Sequence, residues 1–239
     1  MGRVLLLILA ASCVSPLFAR SEGIVDATPK VIVVGFVGGF VRHDDSRHAE
    51  VQFAARLRAR YRSAIHVEVF GNHSGDPALR YVLDLAGADR TQSKIIIFGH
   101  SWGGTETVTL ARELERRGIP VLLTIQIDSI AKPGQENFTI PANVANAVNF
   151  YQSSGLLHGR AEILAKDPAR TNIIGNFEMT YKDHPINCKS FPWYSRVFTK
   201  PHIEIENDPR VWAQAASLID VELSGARSSE RASLPATHP

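Results

Sequence analysis

The apolar residues of this chain form short runs, and the stretches between the runs carry apolar residues at helical spacing. The runs 31–34, 94–98 and 121–127 are nearly continuous, which is typical of strands buried on both faces. The run 65–70 alternates apolar and polar residues, as expected of a strand with one buried face. The alternating order predicts an α/β fold, in which helices cover both faces of a mostly parallel sheet. Helices are predicted between the strands, at about 46–61, 76–88 and 105–117.

The second half of the chain carries weaker signals. Residues 147–151 and 171–181 are predicted to form two further strands. Asp208-Pro209 begins a last helix, because Asp is a common N-cap and Pro is favoured in the first turn. The segment 182–201 is rich in proline and aromatic residues and is predicted to be a loop, so we expect no large lid. The polar, aperiodic tail 224–239 predicts disorder.

The first 19 residues have a different composition. Arg3 precedes the apolar run 4–11, and small residues follow, which together predict a secretory signal sequence. The run is too short to span a bilayer. We expect cleavage after Ala19, and therefore an exported protein, periplasmic or extracellular. Cys13, preceded by small residues, gives an alternative prediction, a bacterial lipoprotein anchored to the membrane through that cysteine.

Composition and charge indicate one ordinary globular domain. The chain has 239 residues, 44% of them hydrophobic and 21% charged, and we place the domain at 30–223 behind a linker at 20–29. The formal net charge is +2, and the arginine-rich stretch 56–62 is interpreted as a solvated helix face, so no nucleic-acid partner is predicted. Removal of the signal would leave Cys188 as the single cysteine, which excludes a disulfide within the mature chain.

The strongest chemical signal follows the apolar run 94–98 directly. Gly99-His100-Ser101-Trp102-Gly103 matches the pattern G-x-S-x-G. Small residues two positions before and after a serine let a strand turn at once into a helix, with the serine at a strained bend. Such a bend lifts the serine Oγ above the sheet and places it at a helix N-terminus, where backbone N–H groups face developing negative charge. Because a strand precedes the pattern and a helix follows it, we predict a nucleophile elbow at Ser101.

A family resemblance extends from this motif. The run 99–129, GHSWGGTETVTLARELERRGIPVLLTIQIDS, resembles the α/β-hydrolases. Within them it is most similar to the thioesterase-domain branch, in which GHSxGG, a helix, a strand and an aspartate follow in this order. The resemblance is sharp over about 31–130 and diffuse beyond. It implies the α/β-hydrolase fold and a Ser–His–acid mechanism, and it does not define a substrate.

The order of the remaining polar residues predicts the rest of a catalytic triad. Asp128 follows the strand 121–127, at the sheet edge where such sites lie, and thioesterase-like relatives carry their acid there. Other α/β-hydrolases carry the acid one strand later, and Asp167 is the alternative for that case. His202 precedes the last helix, where this fold carries its catalytic histidine, and His184 is the second candidate.

Two further groups of residues are expected around the triad. The glycine-rich loop after the first strand resembles the loop that supplies one oxyanion-hole N–H in this family, which assigns the role to Phe36, with Val37 as runner-up. The residue after the nucleophile, Trp102, is expected to supply the other N–H. Candidate residues of a substrate pocket are Val37, His184 and Trp193.

These observations predict an exported serine hydrolase of the esterase or lipase type. Ser101, His202 and Asp128 would cleave a small-molecule or lipid ester through an acyl-enzyme, and this chemistry requires no metal ion or organic cofactor. A thioesterase or acyltransferase is the alternative enzyme, suggested by the resemblance. A non-catalytic binding protein with the same fold is the alternative from another class.

Overall fold

A computed structural model describes residues 30–233 of the chain. Six of its strands form one sheet, in the order β2-β1-β3-β4-β6-β8, and every neighbouring pair is parallel. The other two strands, β5 and β7, form a small parallel pair of their own. The strands are β1 (Val31–Phe36), β2 (Ile65–Phe70), β3 (Lys94–His100), β4 (Val121–Ile127), β5 (Thr139–Ile140), β6 (Val144–Tyr151), β7 (Leu164–Ala165) and β8 (Asn172–Glu178).

Helices cover both faces of the sheet. Along β3, Ile95 and Ile97 pack in a core cluster with residues of α2 and α3, whereas Ile96 and Phe98 pack in the other cluster with residues of α1 and α6. This alternation is the two-residue period of a strand that is buried on both sides. The helices are α1 (Ala49–Tyr61), α2 (Gly75–Ala86), α3 (Trp102–Glu115), α4 (Trp193–Phe198), α5 (Lys200–Glu206) and α6 (Pro209–Ser233).

The predicted α/β fold with a parallel sheet is confirmed, and this sheet determines where the site lies. All strands run in one direction, so the carboxyl ends of β1, β3 and β4 meet at one edge. Phe36 is in register with Gly99, and His100 is in register with Ile127. The segments that follow these three strands are therefore neighbours, although they are distant in the sequence.

Several boundaries differ from the predicted ones. Gly35 and Phe36, which we expected in a loop, belong to β1, because they pair with β2 on one side and β3 on the other. The helix α2 begins at Gly75, so Asp76 lies in its first turn and does not cap it. Helix α3 ends at Glu115, and Gly118 follows it in the turn before β4 with a φ of 66°, a conformation that favours glycine.

The largest correction concerns 182–201, which we predicted to be a loop. It contains α4 and the beginning of α5, so His202 lies inside a helix and not in a loop. Pro201 is compatible with this helix because it occupies the first turn, where a backbone N–H would have no helical acceptor. Pro201 therefore marks the start of a helix and not a continuing loop.

The end of the described chain is also helical. Helix α6 continues to Ser233, ten residues past Leu223, into the segment for which we predict disorder. Serine is the commonest residue of this stretch and has only moderate helix propensity, so the extension continues the periodic part of α6 and does not follow from local composition. The predicted signal 1–19 with Cys13, the whole linker 20–29 and the last six residues lie outside the described residues.

Two further observations bear on the sequence predictions. Cys188 is buried and has a free thiol, as expected for a cysteine without an intrachain partner. Burial raises the pKa of this thiol to about 11, so it is a poor nucleophile at neutral pH. Among residues 30–233, no helix combines the length and the apolar composition that crossing a bilayer requires.

Candidate active site

Ser101 lies at a sharp turn between β3 and α3. Its φ of 57° and ψ of −124° are unusual for a residue with a side chain and are characteristic of a strained bend. The glycines around it are required by close packing. A Cβ at Gly99 would overlap the backbone of Gly103, and a Cβ at Gly103 would overlap the carbonyl oxygen of Phe36. The predicted elbow geometry is therefore present, and only residues without a side chain fit around it.

The backbone of the elbow is held by its neighbours. The Ser101 N–H donates to the Ile127 carbonyl oxygen at 3.0 Å, and the Ser101 carbonyl oxygen accepts from Gly104 and Ile130 at 3.0 and 3.1 Å. Trp102 is the first residue of α3. The first N–H groups of a helix have no acceptor within the helix, so the Trp102 amide is suited to stabilise negative charge near Ser101.

Asp128 and His202 form a direct hydrogen bond. His202 Nδ1 lies 2.6 Å from Asp128 Oδ2, and both side chains are buried. Asp128 directly follows β4, with a φ of 42°, and His202 belongs to the first turn of α5. Since the carboxylate can only accept, Nδ1 carries the proton and Nε2 is free to accept one. This is the tautomer that a catalytic histidine requires.

The second oxygen and the remaining lone pairs of Asp128 are also satisfied. The Gly159 amide donates to Oδ1 at 2.6 Å, and the Gln152 side chain donates to Oδ2 at 2.9 Å. Gln152 follows β6, the next strand in the sheet, where many α/β-hydrolases carry their acid. An amide at that position supports the carboxylate on β4 and cannot replace it.

The environment sets the protonation states of Asp128 and His202. Burial acts to raise the pKa of Asp128, but hydrogen bonds from His202, Gln152 and Gly159 outweigh it and keep the pKa below its ordinary value. Burial and the positive charge of His100 lower the pKa of His202, against the opposing effect of Asp128. At neutral pH the pair is therefore a carboxylate and a neutral imidazole, which is the form that can accept a proton from serine.

His100, the residue before the serine, contacts His202 directly. The two rings have centroids 4.5 Å apart, and His100 Nε2 lies 3.2 Å from the His202 carbonyl oxygen. Burial acts to lower the pKa of His100, but the carboxylates of Glu50 and Glu206 raise it to about 9. His100 is thus a buried cation that packs against the candidate base.

The loop after β1 lies against the elbow. A Cβ at Gly38 would lie 3.4 Å from Ser101 Cβ, so this loop passes close to the serine. The Val37 amide donates to the Phe70 carbonyl oxygen at 3.1 Å and is engaged within the sheet, which disfavours Val37 as an oxyanion donor. Phe36 ends β1 in register with Gly99, and alternation along the strand directs its amide into the ladder with β3, so the same consideration applies to Phe36.

A chain of buried polar groups supports this loop. The Asn72 side chain donates to the Gly38 carbonyl oxygen. Lys132 donates to the Asn72 carbonyl oxygen and to the carboxylate of Glu106 on α3. These contacts link the loop to the helix that begins at Trp102, so both sides of the expected oxyanion hole share one support.

The predicted pocket residues are dispersed. The Val37 side chain is fully buried in the core and lines no open cavity. His184 is exposed, and Trp193 is 67% exposed beside a cavity of about 580 Å³ that contains none of the three triad candidates among its lining residues. A second cavity of about 370 Å³ adjoins the acid instead, and it is lined by Ser129, Tyr151, Gln152, Ser153, His158 and Gly159 among others.

Asp167, the alternative acid, is far from this arrangement in the fold. Its side chain accepts from the Ala169 amide, and its carbonyl oxygen accepts from Arg170 and Thr171, immediately before β8 begins. It therefore lies at the amino edge of the sheet, opposite the edge that carries Asp128. The chain leaves the carboxyl end of β6 at Tyr151 and has returned to the amino edge of the sheet by Asp167, shortly before β8 begins.

Several supporting residues escaped the sequence prediction. Gln152 could have been found by the rule that led to Asp128, since it also follows a buried strand directly. Gly159, Asn72 and Lys132 lie in irregular segments, and their contacts with the site depend on long-range packing that no local pattern reports.

The sheet order, the strained serine turn after β3 and the buried aspartate after β4 together define the architecture. The chain has the α/β-hydrolase fold. No model of a protein family matches this chain, and no curated protein matches it.

Solved structures of similar shape are ester and thioester hydrolases by their descriptions. A cutinase-like protein from Cryptococcus sp. is 12% identical, with a TM-score of 0.48 over 83% of this chain and 97% of that one. An acetylxylan esterase is 12% identical, with a TM-score of 0.44 over 82% and 99%. The RedJ thioesterase of Streptomyces coelicolor is 12% identical, with a TM-score of 0.43 over 80% and 91%. Similarity at this level carries no information about a substrate.

We predict that Asp128→Asn reduces turnover of a p-nitrophenyl ester by a factor on the order of 10⁴, because an amide cannot hold His202 in the required tautomer. Asp167→Asn is the matched control and should leave turnover unchanged, since Asp167 lies at the opposite sheet edge. Both variants are compared by steady-state kinetics after circular dichroism has verified their fold. A larger loss in Asp167→Asn would contradict the assignment of the acid.

The pH dependence of kcat/KM should show an acid limb with an apparent pKa below 6.5, since the pKa of His202 is lowered and its neutral form is the active one. His100→Gln removes a neighbouring positive charge, which raises the pKa of His202 and moves the limb to higher pH. The exposed His66 provides the control, His66→Gln, whose profile should match the wild type. An unchanged or acid-shifted limb in His100→Gln would show that His100 does not act on His202.

Proposed function

We propose that this protein is a serine hydrolase that cleaves carboxylic esters through an acyl-enzyme. The observation that carries the proposal is the buried 2.6 Å hydrogen bond between His202 and Asp128, at the sheet edge where β3 delivers Ser101 in a strained turn. A fully buried aspartate that holds a neutral histidine, at the sheet edge that carries such a serine, supports catalysis more directly than a purely structural role.

In the proposed reaction, Ser101 Oγ attacks the ester carbonyl carbon and His202 Nε2 accepts the serine proton. Asp128 stabilises the imidazolium that forms. The tetrahedral intermediate collapses, and His202 gives its proton to the departing alcohol. A water molecule then attacks the acyl-enzyme with His202 as base, which releases the acid and restores the Ser101 hydroxyl. The serine proton departs with the alcohol, and a proton of the water molecule restores the serine hydroxyl, so water is the only further reactant.

The proposed oxyanion donors are the amides of Trp102 and Phe36. Trp102 is supported by its position at the start of α3. Phe36 rests on the resemblance of the loop after β1 and would have to release its ladder bond with β3 to donate. The indole of Trp102 packs against the loop, because a Cβ at Gly39 would lie 2.8 Å from the ring. Tight contact between the loop and the elbow keeps the two amides at one side of Ser101.

A thioesterase or acyltransferase is the second candidate, because the acid follows β4, the position that the thioesterase resemblance implies. The elbow serves both chemistries, so substrate competition decides between them. Esters of p-nitrophenol with increasing acyl length are compared with thioesters of the same acyl groups. Faster hydrolysis of esters at every chain length supports the esterase, whereas activity confined to thioesters would replace it.

We also propose that the protein is exported, on the basis of Arg3, the apolar run 4–11 and the small residues after it. When the full chain is expressed in a bacterium, we expect a mature protein outside the cytoplasm that begins near Arg20. N-terminal sequencing and fractionation measure this directly. A lipid-modified Cys13 at the mature N-terminus would support the anchored alternative, and an uncleaved cytoplasmic chain would contradict export and strengthen the thioesterase candidate.

We predict that a fluorophosphonate probe labels the wild-type protein at Ser101 and that Ser101→Ala abolishes both labelling and ester turnover. The thermal unfolding midpoint should stay close to that of the wild type, because only the attacking oxygen is lost. Ser129→Ala, at a buried serine after β4, is the matched control and should still be labelled. A wild-type protein that folds but does not react with the probe would favour the non-catalytic binding protein.

A further inference from the structure

A buried group of ionisable side chains lies beside the candidate active site. We call it the Glu50 cluster and define it by His48, Glu50, His100 and Glu206. Of its members, His100 contacts His202. Its Nε2 faces the His202 carbonyl oxygen, whereas its Nδ1 lies 3.6 Å from a Glu50 oxygen and 3.8 Å from a Glu206 oxygen. The members come from the start of α1, the end of β3 and the end of α5.

The carboxylate of Glu50 is the unusual member of this cluster. Its side chain is fully buried, and neither of its oxygens accepts a hydrogen bond. The nearest cationic atom, His100 Nδ1 at 3.6 Å, is beyond hydrogen-bond distance. A buried carboxylate is strongly unfavourable unless a cation or hydrogen-bond donors compensate it. The charge of His100 compensates Glu50 in part, but both carboxylate oxygens still lack a bonded partner, which a metal ion would supply.

The other two ligand atoms needed for such an ion lie close by. One atom each of His48, Glu50 and Glu206 fall within 4.8 Å of one another, and His48 Nδ1 is 2.7 Å from Glu206 Oε1. Imidazole nitrogen together with carboxylate oxygen is a ligand set of zinc and other first-row divalent ions. Calcium and magnesium prefer shells composed of oxygen alone. Two carboxylates also match the charge of a divalent ion.

We propose that His48, Glu50 and Glu206 bind one divalent transition-metal ion of the zinc type, with a water molecule as the fourth ligand. The ion replaces the hydrogen bond between His48 and Glu206 and gives the Glu50 carboxylate its partner. It would connect α1 with α5, the helix that carries His202. Its role is structural, because His100 stands between it and the triad candidates.

The cluster can be reached from the surface. His48 retains 14% of its side-chain exposure and lines a cavity of about 260 Å³. The ring of Phe191 contacts His48 edge-on, with centroids 5.6 Å apart, so the cavity has one apolar wall and one ligand at its base. An ion could enter here without unfolding of the sheet. The lining residues are Phe40, Val41, Arg47, His48, Ser190 and Phe191, together with Pro192.

A purely ionic network is the competing explanation. In that case protonated His48 and His100 neutralise the two carboxylates, and the cluster holds no metal. The two explanations differ in a binding measurement that does not depend on catalysis. The full-length protein is treated with EDTA, dialysed and titrated with Zn²⁺ by calorimetry, with Mg²⁺ and Ca²⁺ in parallel. We expect one equivalent of Zn²⁺, bound at least about 100-fold more tightly than Mg²⁺ or Ca²⁺, and a higher thermal unfolding midpoint with the metal.

Substitution of the proposed ligands tests where the ion binds. Glu50→Gln and His48→Asn should each weaken Zn²⁺ binding at least about tenfold, since each removes a direct ligand. Glu106→Gln changes a buried carboxylate outside the cluster, His66→Asn changes an exposed histidine, and both should bind as the wild type does. Ser101→Ala should also bind normally, so failure of the proposed hydrolase function would leave this result intact.

The wild-type protein alone is sufficient to reject the proposal if a variant does not fold. Co²⁺ in place of Zn²⁺ should produce visible absorption bands of a four-coordinate site with nitrogen and oxygen ligands. Absence of stoichiometric Zn²⁺ binding by the wild type would establish the ionic network instead. Wild-type affinity in a folded Glu50→Gln or His48→Asn variant would place the ion elsewhere and overturn the assignment.

Discussion

Burial of the Asp128 carboxylate is the constraint to which much of the structure responds. An isolated carboxylate in a protein interior is strongly unfavourable, and this one is compensated by donors from three separate segments: His202 on α5, Gln152 after β6 and the Gly159 amide. Each donor ties its segment to the end of β4. The hydrogen bond that orients the histidine is thus part of the same network that holds the carboxyl edge of the sheet together.

The elbow depends on close backbone packing, and the polar network on the other side depends on the elbow. Gly103 lies against the Phe36 carbonyl oxygen, and the backbone strain at Ser101, of order 1–3 kcal/mol, persists because surrounding contacts determine the turn. Asn72 and Lys132 then connect the loop after β1 to α3. A serine nucleophile and its oxyanion donors gain their relative positions from these contacts, which act before any substrate binds.

A second group of buried charges lies one residue away from the nucleophile. His100 is positively charged because two carboxylates face it, and its charge disfavours protonation of His202. The carboxylates of the Glu50 cluster therefore act on the candidate base through His100, and an ion bound to both of them would weaken this effect. The His100 ring contacts the carboxylates between α1 and α5 on one side and His202 on the other. It therefore connects the proposed metal site with the proposed function.

The sequence by itself determined the features that depend on local spacing. Buried strands appear as apolar runs, and small residues at 99 and 103 permit the tight turn at Ser101. The position of Asp128 directly after the next strand predicts it as the candidate acid. Tertiary structure decided what depends on contacts between distant segments. His202 lies in a helix because Pro201 fits a first turn there, and Asp167 belongs to the opposite edge because it precedes β8, which runs parallel to β6. The Glu50 cluster exists only because α1, β3 and α5 converge. Local patterns report periodicity, whereas such convergence is set by packing across the whole sheet.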